Sequence, residues 1–173
     1  VLVATICSLK YNAGIPKAEL SAPNAEAIRV GFANLEKHIE NMRSFGLPVI
    51  CAINRFYTDT EEEIAVLRDL CRAKDVRFAP AEIFTRGGAG GEDLAREVLQ
   101  VLEENRPKAP HYMYELSDSP EAKIASLARN IYGASAVNIL PEAADKIRGF
   151  VDAGFGNLPI CVAKTQYSLS DDQ

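Results

Sequence analysis

The chain has 173 residues, of which 47% are hydrophobic and 25% are charged, and its formal net charge at pH 7 is -5. This length and composition are those of an ordinary globular domain with one hydrophobic core. The negative charge, and the lack of any run of lysines and arginines, argue against nucleic acid as a partner, because binding it needs a concentrated basic surface.

Membrane insertion and metal binding are not expected either. No apolar stretch approaches the roughly 20 residues that span a bilayer. The first residues lack the features of a signal peptide, so we expect a cytoplasmic protein. The four cysteines are far apart in sequence, and only two histidines are available as further ligands. We therefore predict reduced thiols, with no metal site and no disulfide.

The pattern of apolar residues predicts alternating strands and helices. The segments with strand character are Val1–Cys7, Leu47–Asn54, Val76–Ile83 and Ile160–Ala163. Helical periodicity fills the gaps between the first three segments and also follows the third. Strands that alternate with helices form parallel sheets through right-handed crossovers. We therefore predict an α/β fold, with a mainly parallel sheet and helices on both faces.

The predicted helices have recognisable starts and stops. The first begins after Asn24, a favourable N-cap, and stops at Gly46. The second covers about residues 60–74, and Glu61–Glu63 suit its first turn because carboxylates oppose the positive end of the helix dipole. The third follows the glycine-rich segment 87–91. Its predicted inner face consists of Leu94, Val98, Val101 and Leu102.

The composition changes toward the carboxyl terminus. Residues 106–120 are rich in proline and polar side chains, and helices are predicted near residues 121–132 and 141–153. We therefore assign residues 1–105 to part of an α/β domain and residues 106–173 to an appended α/β subdomain. Both are expected to be incomplete, since the first strand would otherwise leave an open sheet edge.

Functional residues are expected at the carboxyl edge of the sheet, where open α/β folds bind their ligands. The loops predicted there are Arg55–Thr60, Phe84–Gly91 and Lys164–Ser170, together with the segment after Cys7. Cationic and donor side chains in these loops are candidate contacts for a substrate anion. They are Lys10, Arg55, Lys164, Thr165 and Gln166. The last three form a compact donor cluster, for which the alternative is a solvated loop.

The glycine-rich segment TRGGAGGEDLA has two interpretations. Gly87 and Gly88 could let backbone N–H groups approach a phosphate at the start of a helix. However, the segment lacks the Gly-Lys-Ser/Thr ending of the Walker loop and the spacing of the dinucleotide fingerprint. The spacing alone therefore favours a turn that only connects a strand to a helix.

Aromatic residues follow two consecutive predicted strands. Phe56 and Phe84 could face each other across the sheet edge and hold a planar ring between them. Without further information the alternative is favoured, in which both rings cap the hydrophobic core. Asn54 is similarly ambiguous, because an amide at this point can recognise a base but is more often a turn residue.

Longer blocks of the sequence resemble a known family. They are VLVATICSLKYNAG, GFANLEKHIENM, AINRFYTDT, EIFTRGGAGG, KIASLARNIYGA and GFGNLPICVAKTQYSLSDD. By the number, order and length of these blocks, the chain resembles the formate–tetrahydrofolate ligase family over essentially its whole length.

The resemblance implies an enzyme that joins formate to tetrahydrofolate with hydrolysis of ATP bound to Mg²⁺, through formyl phosphate, to give 10-formyltetrahydrofolate. It also implies a P-loop NTPase-like nucleotide-binding domain over residues 1–105, and assembly as a homo-tetramer. The catalytic residues and the phosphate loop of the family would lie upstream of Val1, so this chain alone is expected to be inactive. The alternative is a non-catalytic module that binds a nucleotide or a folate.

The resemblance reverses the interpretation of the aromatic residues. Phe56 and Phe84 match the family's aromatic pair in the ring-binding pocket, with Asn54 and the glycine-rich segment beside them. Whether the bound ring is adenine or pterin stays open, since both are planar. The chain also departs from the family, because Tyr57 replaces a proline, Phe84 a tryptophan and Asn12 a histidine. Phenylalanine retains a stacking face but lacks the N–H donor of tryptophan.

Overall fold

A computed structural model provides the structure of the chain and describes residues 1–105, 109–163 and 169. The chain folds into two compact units, Val1–Pro110 and His111–Gln173. None of the helices in the described residues is both long enough and apolar enough to cross a membrane.

The first unit contains a parallel sheet of three strands in the order β1-β2-β3. The strands are β1 Leu2–Ala4, β2 Ile50–Asn54 and β3 Arg77–Ala81. Asn54 lies opposite Ala81 in the register, so β2 and β3 end at the same level. The predicted α/β fold with a parallel sheet is therefore confirmed.

Helices and short turns connect these strands. They are α1 Ile6–Asn12, α2 Ala25–Ser44, α3 Glu61–Ala73, α4 Ile83–Arg86 and α5 Glu92–Glu104, with 3-10 helices at Lys17–Glu19 and Gly87–Gly91. The Asn24 side chain accepts a hydrogen bond of 2.9 Å from the N–H of Ala27, which begins α2 as predicted. Gly46 follows α2 with a φ of 74°, a conformation that glycine adopts without strain.

Both faces of the sheet are covered in the first unit. Cys51 and Ile53 of β2 belong to the main core, to which α2 and α3 contribute most of the other side chains. The intervening residues Ile50 and Ala52 are also buried. They face the opposite side of the sheet, because successive strand side chains alternate. Helix α5 contacts β2 and β3. The predicted arrangement of helices on both faces is confirmed.

Two sequence predictions for the first unit need correction. The first strand was expected to reach Cys7, but β1 ends at Ala4 and the predicted loop after Cys7 is helix α1. The cause is a capping box, in which the side chains of Thr5 and Ser8 bond each other's backbone N–H groups and start a helix. Leu102, predicted on the inner face of α5, is 64% exposed, whereas Val101 is buried.

The second unit contains the helices α6 Pro120–Asn130 and α7 Pro141–Asp152 in its described residues. Both were predicted. The strand expected at Ile160–Ala163 is wrong, because these residues have no regular secondary structure. Instead, the backbone N–H of Ile160 donates to the Tyr114 hydroxyl at 3.0 Å. The described part of this unit therefore lacks the strand on which the predicted α/β character of the appendage depended.

Candidate functional site

The carboxyl edge of β2 and β3 brings two connections together. The backbone N–H of Arg55, which directly follows β2, donates to the carbonyl oxygen of Ala81 at the end of β3, at 3.1 Å. Residues 55–60, which we call the β2 turn, and residues 82–91, which we call the β3 loop, therefore start side by side. Asn54 lies at this edge as the last residue of β2 and is half-buried.

The β2 turn is closed by Asp59. One Asp59 carboxylate oxygen accepts a hydrogen bond of 2.9 Å from the backbone N–H of Phe56. The backbone N–H of Asp59 donates in return to the carbonyl oxygen of Phe56, at 3.0 Å. Asp59 is only 7% exposed, whereas the Phe56 ring beside it is 39% exposed and Tyr57 is 94% exposed. The turn thus combines a ring that is partly open to solvent with a buried carboxyl group that bonds the backbone of the same residue.

The end of the β2 turn is fixed by a second capping box. The Thr60 hydroxyl accepts from the backbone N–H of Glu63 at 3.3 Å. The Glu63 carboxylate accepts from the backbone N–H of Thr60 at 3.1 Å and from its hydroxyl at 2.8 Å. These bonds satisfy N–H groups that a helix start would otherwise leave without partners.

Glu63 also forms a buried ion pair with Lys10. The two charged groups are 2.5 Å apart, and both side chains are almost completely buried. Lys10 donates further to the carbonyl oxygens of Leu20 and Ala22, at 3.1 and 2.9 Å. Glu63 accepts another bond, of 2.9 Å, from the backbone N–H of Asn24. The pair therefore joins α1, the segment before α2, and the start of α3.

The two buried carboxyl groups respond in opposite ways to this environment. Burial raises the pKa of Asp59, the negative charge of Glu63 raises it further, and the hydrogen bond from Phe56 opposes them. Burial alone would also raise the pKa of Glu63, but hydrogen bonds from Lys10, Asn24 and Thr60 together hold that pKa below its ordinary value. Glu63 is thus a stable carboxylate at neutral pH.

The β3 loop is closed by a close backbone approach. The backbone N–H of Glu82 donates to the carbonyl oxygen of Gly90 at 2.9 Å. A Cβ atom at Gly90 would lie 2.4 Å from the Glu82 carbonyl oxygen, and Gly87 has a φ of 58°. A Cβ atom at Gly88 would meet nothing within 4 Å. The loop therefore requires glycine at positions 87 and 90, whereas position 88 tolerates a side chain.

Charges around the β3 loop favour the turn interpretation of its glycines over a phosphate site. Glu92 and Asp93 occupy the first turn of α5, which is where an anion would bind. Arg96 donates to both carboxylates, at 3.0 and 3.1 Å. Carboxylates already oppose the positive end of this helix dipole, and they would repel a phosphate.

The structure brings some of the predicted site residues together and separates others. Asn54 ends β2, while Arg55, Phe56 and Phe84 lie on the connections that follow β2 and β3. Phe84 is 89% exposed. The interpretation of Phe84 as a core cap is therefore wrong. Arg55 pairs with Glu61 and lies 3.4 Å from Glu82.

Lys10 is not available to a substrate anion, because its ammonium group is buried against Glu63. We leave it out of the candidate site. Lys164, Thr165 and Gln166 lie outside the described residues.

Sequence reasoning missed Asp59 and the second role of Glu63. The spacing Thr60-x-x-Glu63 is a capping-box signal and could have identified one of the bonds. No local signal links Glu63 to Lys10.

Comparisons with known proteins identify the family of the chain. A family model described as formate–tetrahydrofolate ligase matches residues 1–173. A formate–tetrahydrofolate ligase from Parabacteroides distasonis is 49% identical over 173 residues, which cover 99% of this chain and 31% of that protein. The chain thus spans about a third of the length of this relative. Because the family model matches the chain along its whole length, the chain belongs to the formate–tetrahydrofolate ligase family.

Proposed function

We propose that this chain is a segment of a cytoplasmic, ATP-dependent ligase that joins formate to tetrahydrofolate. In this reaction, formate attacks the terminal phosphorus of ATP and releases ADP, and a tetrahydrofolate nitrogen then attacks the carbonyl carbon of formyl phosphate and releases phosphate. The products are 10-formyltetrahydrofolate, ADP and phosphate. Family membership and the 49% identity to a protein of that name support the proposal. The assembled enzyme is proposed to be a homo-tetramer.

We propose that the phosphate chemistry is carried out by residues of the ligase other than those described above, since the chain covers 31% of its relative. Among the described residues, no group of His, Cys, Asp or Glu side chains is arranged to hold a metal ion. We therefore assign no Mg²⁺ ligand and no step of phosphoryl transfer to the residues described above. The contribution of this chain is to bind and orient a planar ring.

The exposure of the aromatic rings at the carboxyl edge of β2 and β3 is the observation that carries this assignment. Phe56 is 39% exposed and Phe84 is 89% exposed, although both are large apolar side chains. Rings held out of the core at a sheet edge are available to stack on a planar ligand. Asn54 could then bond the ring edge, while Gly87 and Gly88 keep the adjacent backbone free of side chains.

The test is alanine substitution of each ring in the complete ligase that contains this chain. Phe56→Ala and Phe84→Ala are expected to lower the affinity for tetrahydrofolate or for ATP by roughly 5- to 150-fold, while kcat changes little. The substrate that loses affinity identifies the bound ring as pterin or adenine. Phe84→Trp is expected to bind that substrate more tightly, because tryptophan offers a larger stacking face.

Tyr57→Ala is the matched control, since Tyr57 is an exposed aromatic residue on the same turn but, by the resemblance, replaces a proline of the family and is not part of its aromatic pair. It should leave both affinities within about twofold of the wild-type values, a difference worth less than 1 kcal/mol. Unchanged affinity for both substrates in both phenylalanine variants would exclude the ring-binding site.

A further inference from the structure

Phe56 belongs to a turn whose backbone N–H groups are bonded from several directions. The backbone N–H of Arg55 donates to the carbonyl oxygen of Ala81, at the end of β3, at 3.1 Å. The N–H of Phe56 is held by the Asp59 carboxylate at 2.9 Å. The N–H of Thr60 is held by Glu63 at 3.1 Å. Of these three bonds, only the one to Asp59 holds the backbone N–H of Phe56, the residue that carries the exposed ring.

The placement of Asp59 is costly for a turn residue. Its side chain is buried, and it lies close enough to the Glu63 carboxylate for the two negative charges to repel each other. A solvent-exposed Ser, Asn or Asp could close such a turn without this penalty. The buried position instead gives the carboxylate a fixed orientation, because the surrounding protein restricts its rotation.

The residue that follows Asp59 is also held in place. Thr60 follows Asp59 directly, and both its backbone N–H and its hydroxyl are bonded to Glu63. Glu63 is in turn held by Lys10 and by the backbone of Asn24. Lys10, Glu63 and Asp59 are buried and Thr60 is half-buried, so the segment that carries Phe56 is bonded to the interior of the unit at both Asp59 and Thr60.

We propose that Asp59 is a positioning residue, which holds the backbone of Phe56 in the orientation that presents its ring to the ligand. The inference rests on the proposed ring-binding site. It adds that the affinity for the ring depends on a carboxylate that does not itself touch the ligand. Asp59 acts through its acceptor oxygen, so an uncharged acceptor of the same shape should replace it.

The experiment compares Asp59→Ala and Asp59→Asn in the complete ligase, with KM, kcat and thermal unfolding measured for each. Asp59→Ala removes the acceptor and is expected to raise KM for the ring substrate, the one affected by Phe56→Ala, by about 5- to 20-fold. Its kcat and its KM for formate should stay within about twofold of wild type. Asp59→Asn keeps a carbonyl acceptor and should restore most of the affinity.

A double-mutant cycle decides whether Asp59 acts through Phe56. In a Phe56→Ala background, Asp59→Ala should have no further effect on KM for the ring substrate, because the group that it positions is absent. If Asp59→Ala does not fold, Asp59→Glu takes its place in the cycle, since it keeps the charge but displaces the acceptor.

The outcomes separate this inference from the proposed function. Additive effects of the two substitutions, or an unchanged KM in Asp59→Ala, would overturn the positioning role while Phe56→Ala still confirms the site. Equal losses in Asp59→Ala and Asp59→Asn would also overturn it. No effect of Phe56→Ala on either ring substrate would overturn the site, and the positioning role with it.

Discussion

The β2 turn and the β3 loop lie at the same edge of the sheet but are held by different interactions. In the β2 turn, the carboxylates of Asp59 and Glu63 bond backbone N–H groups, and Lys10 anchors Glu63 in the core. In the β3 loop, Glu82 and Gly90 bond through their backbones, and the fit depends on the missing Cβ of Gly90.

The difference has a consequence for the two aromatic rings. Phe56, on the turn fixed by buried side chains, is 39% exposed, whereas Phe84, on the glycine-rich loop, is 89% exposed. The two rings therefore differ both in exposure and in the interactions that hold the backbone around them. Substitutions in the two connections should therefore affect the stability of the protein differently. The expected effects range from a large loss of stability to almost none.

The largest effect is expected for Glu63→Ala. It leaves Lys10 charged and buried without its carboxylate partner, which costs about 3–5 kcal/mol of folding free energy in comparable pairs. Thermal unfolding of the complete protein should show a large fall in Tm. Glu62→Ala is the control, because Glu62 lies in the same helical turn but is exposed, and it should change stability by less than about 0.5 kcal/mol. Similar Tm values for the two variants would contradict the importance of the buried pair.

Gly90→Ala is expected to have the next largest effect. Its Cβ would lie 2.4 Å from the carbonyl oxygen and 2.5 Å from the carbonyl carbon of Glu82, so the backbone must shift. Overpacking of this kind costs about 1–3 kcal/mol. Gly88→Ala is the matched control in the same loop, since nothing lies within 4 Å of its Cβ position. A smaller loss of stability for Gly90→Ala than for Gly88→Ala would contradict the close approach between Gly90 and Glu82.

The pH dependence of stability separates the two buried carboxyl groups of the β2 turn. The pKa of Glu63 is lowered from 4.5 in the folded state, so its contribution is present above pH 4.5 and is lost as the pH falls through the lowered value. The pKa of Asp59 is raised from 3.8, so the folded state binds this proton more tightly and stability falls as the pH rises from 3.8 through the raised value.

Asp59→Asn tests this assignment because the amide does not titrate. The difference in Tm between Asp59→Asn and the wild type should shift in favour of the variant as the pH rises from about 4 to about 7. Lys10 and Arg55 are the nearby positive charges that limit the shift. A difference in Tm that is the same at both pH values would mean that the ionisation of Asp59 does not weaken the fold.

The smallest effect on stability is expected for Phe84→Ala. The ring is 89% exposed, so its removal should change the free energy of unfolding by less than about 0.5 kcal/mol. A ring that capped the core would cost about 3–5 kcal/mol instead. The same variant should lose affinity for the ring substrate. A large fall in Tm with unchanged affinity would reverse the assignment of Phe84.

The sequence alone was sufficient for the features that depend on neighbouring residues. The start of α2 follows from Asn24 and that of α3 from Glu61–Glu63, and the strand-helix alternation predicts the parallel sheet. These features are readable because capping bonds and apolar periodicity join residues only a few positions apart. The early end of β1 was missed because a capping box at Thr5 overrides an apolar run.

Tertiary structure decided the features that depend on residues far apart in sequence. Lys10 is a buried partner of Glu63 rather than a surface cation, and Phe84 is exposed although it is apolar. Neither result has a local signal, because burial is set by which distant segments pack over a side chain. For the same reason, the sequence placed Phe56 at the sheet edge, but only the structure showed that Asp59 is buried and bonds the Phe56 backbone.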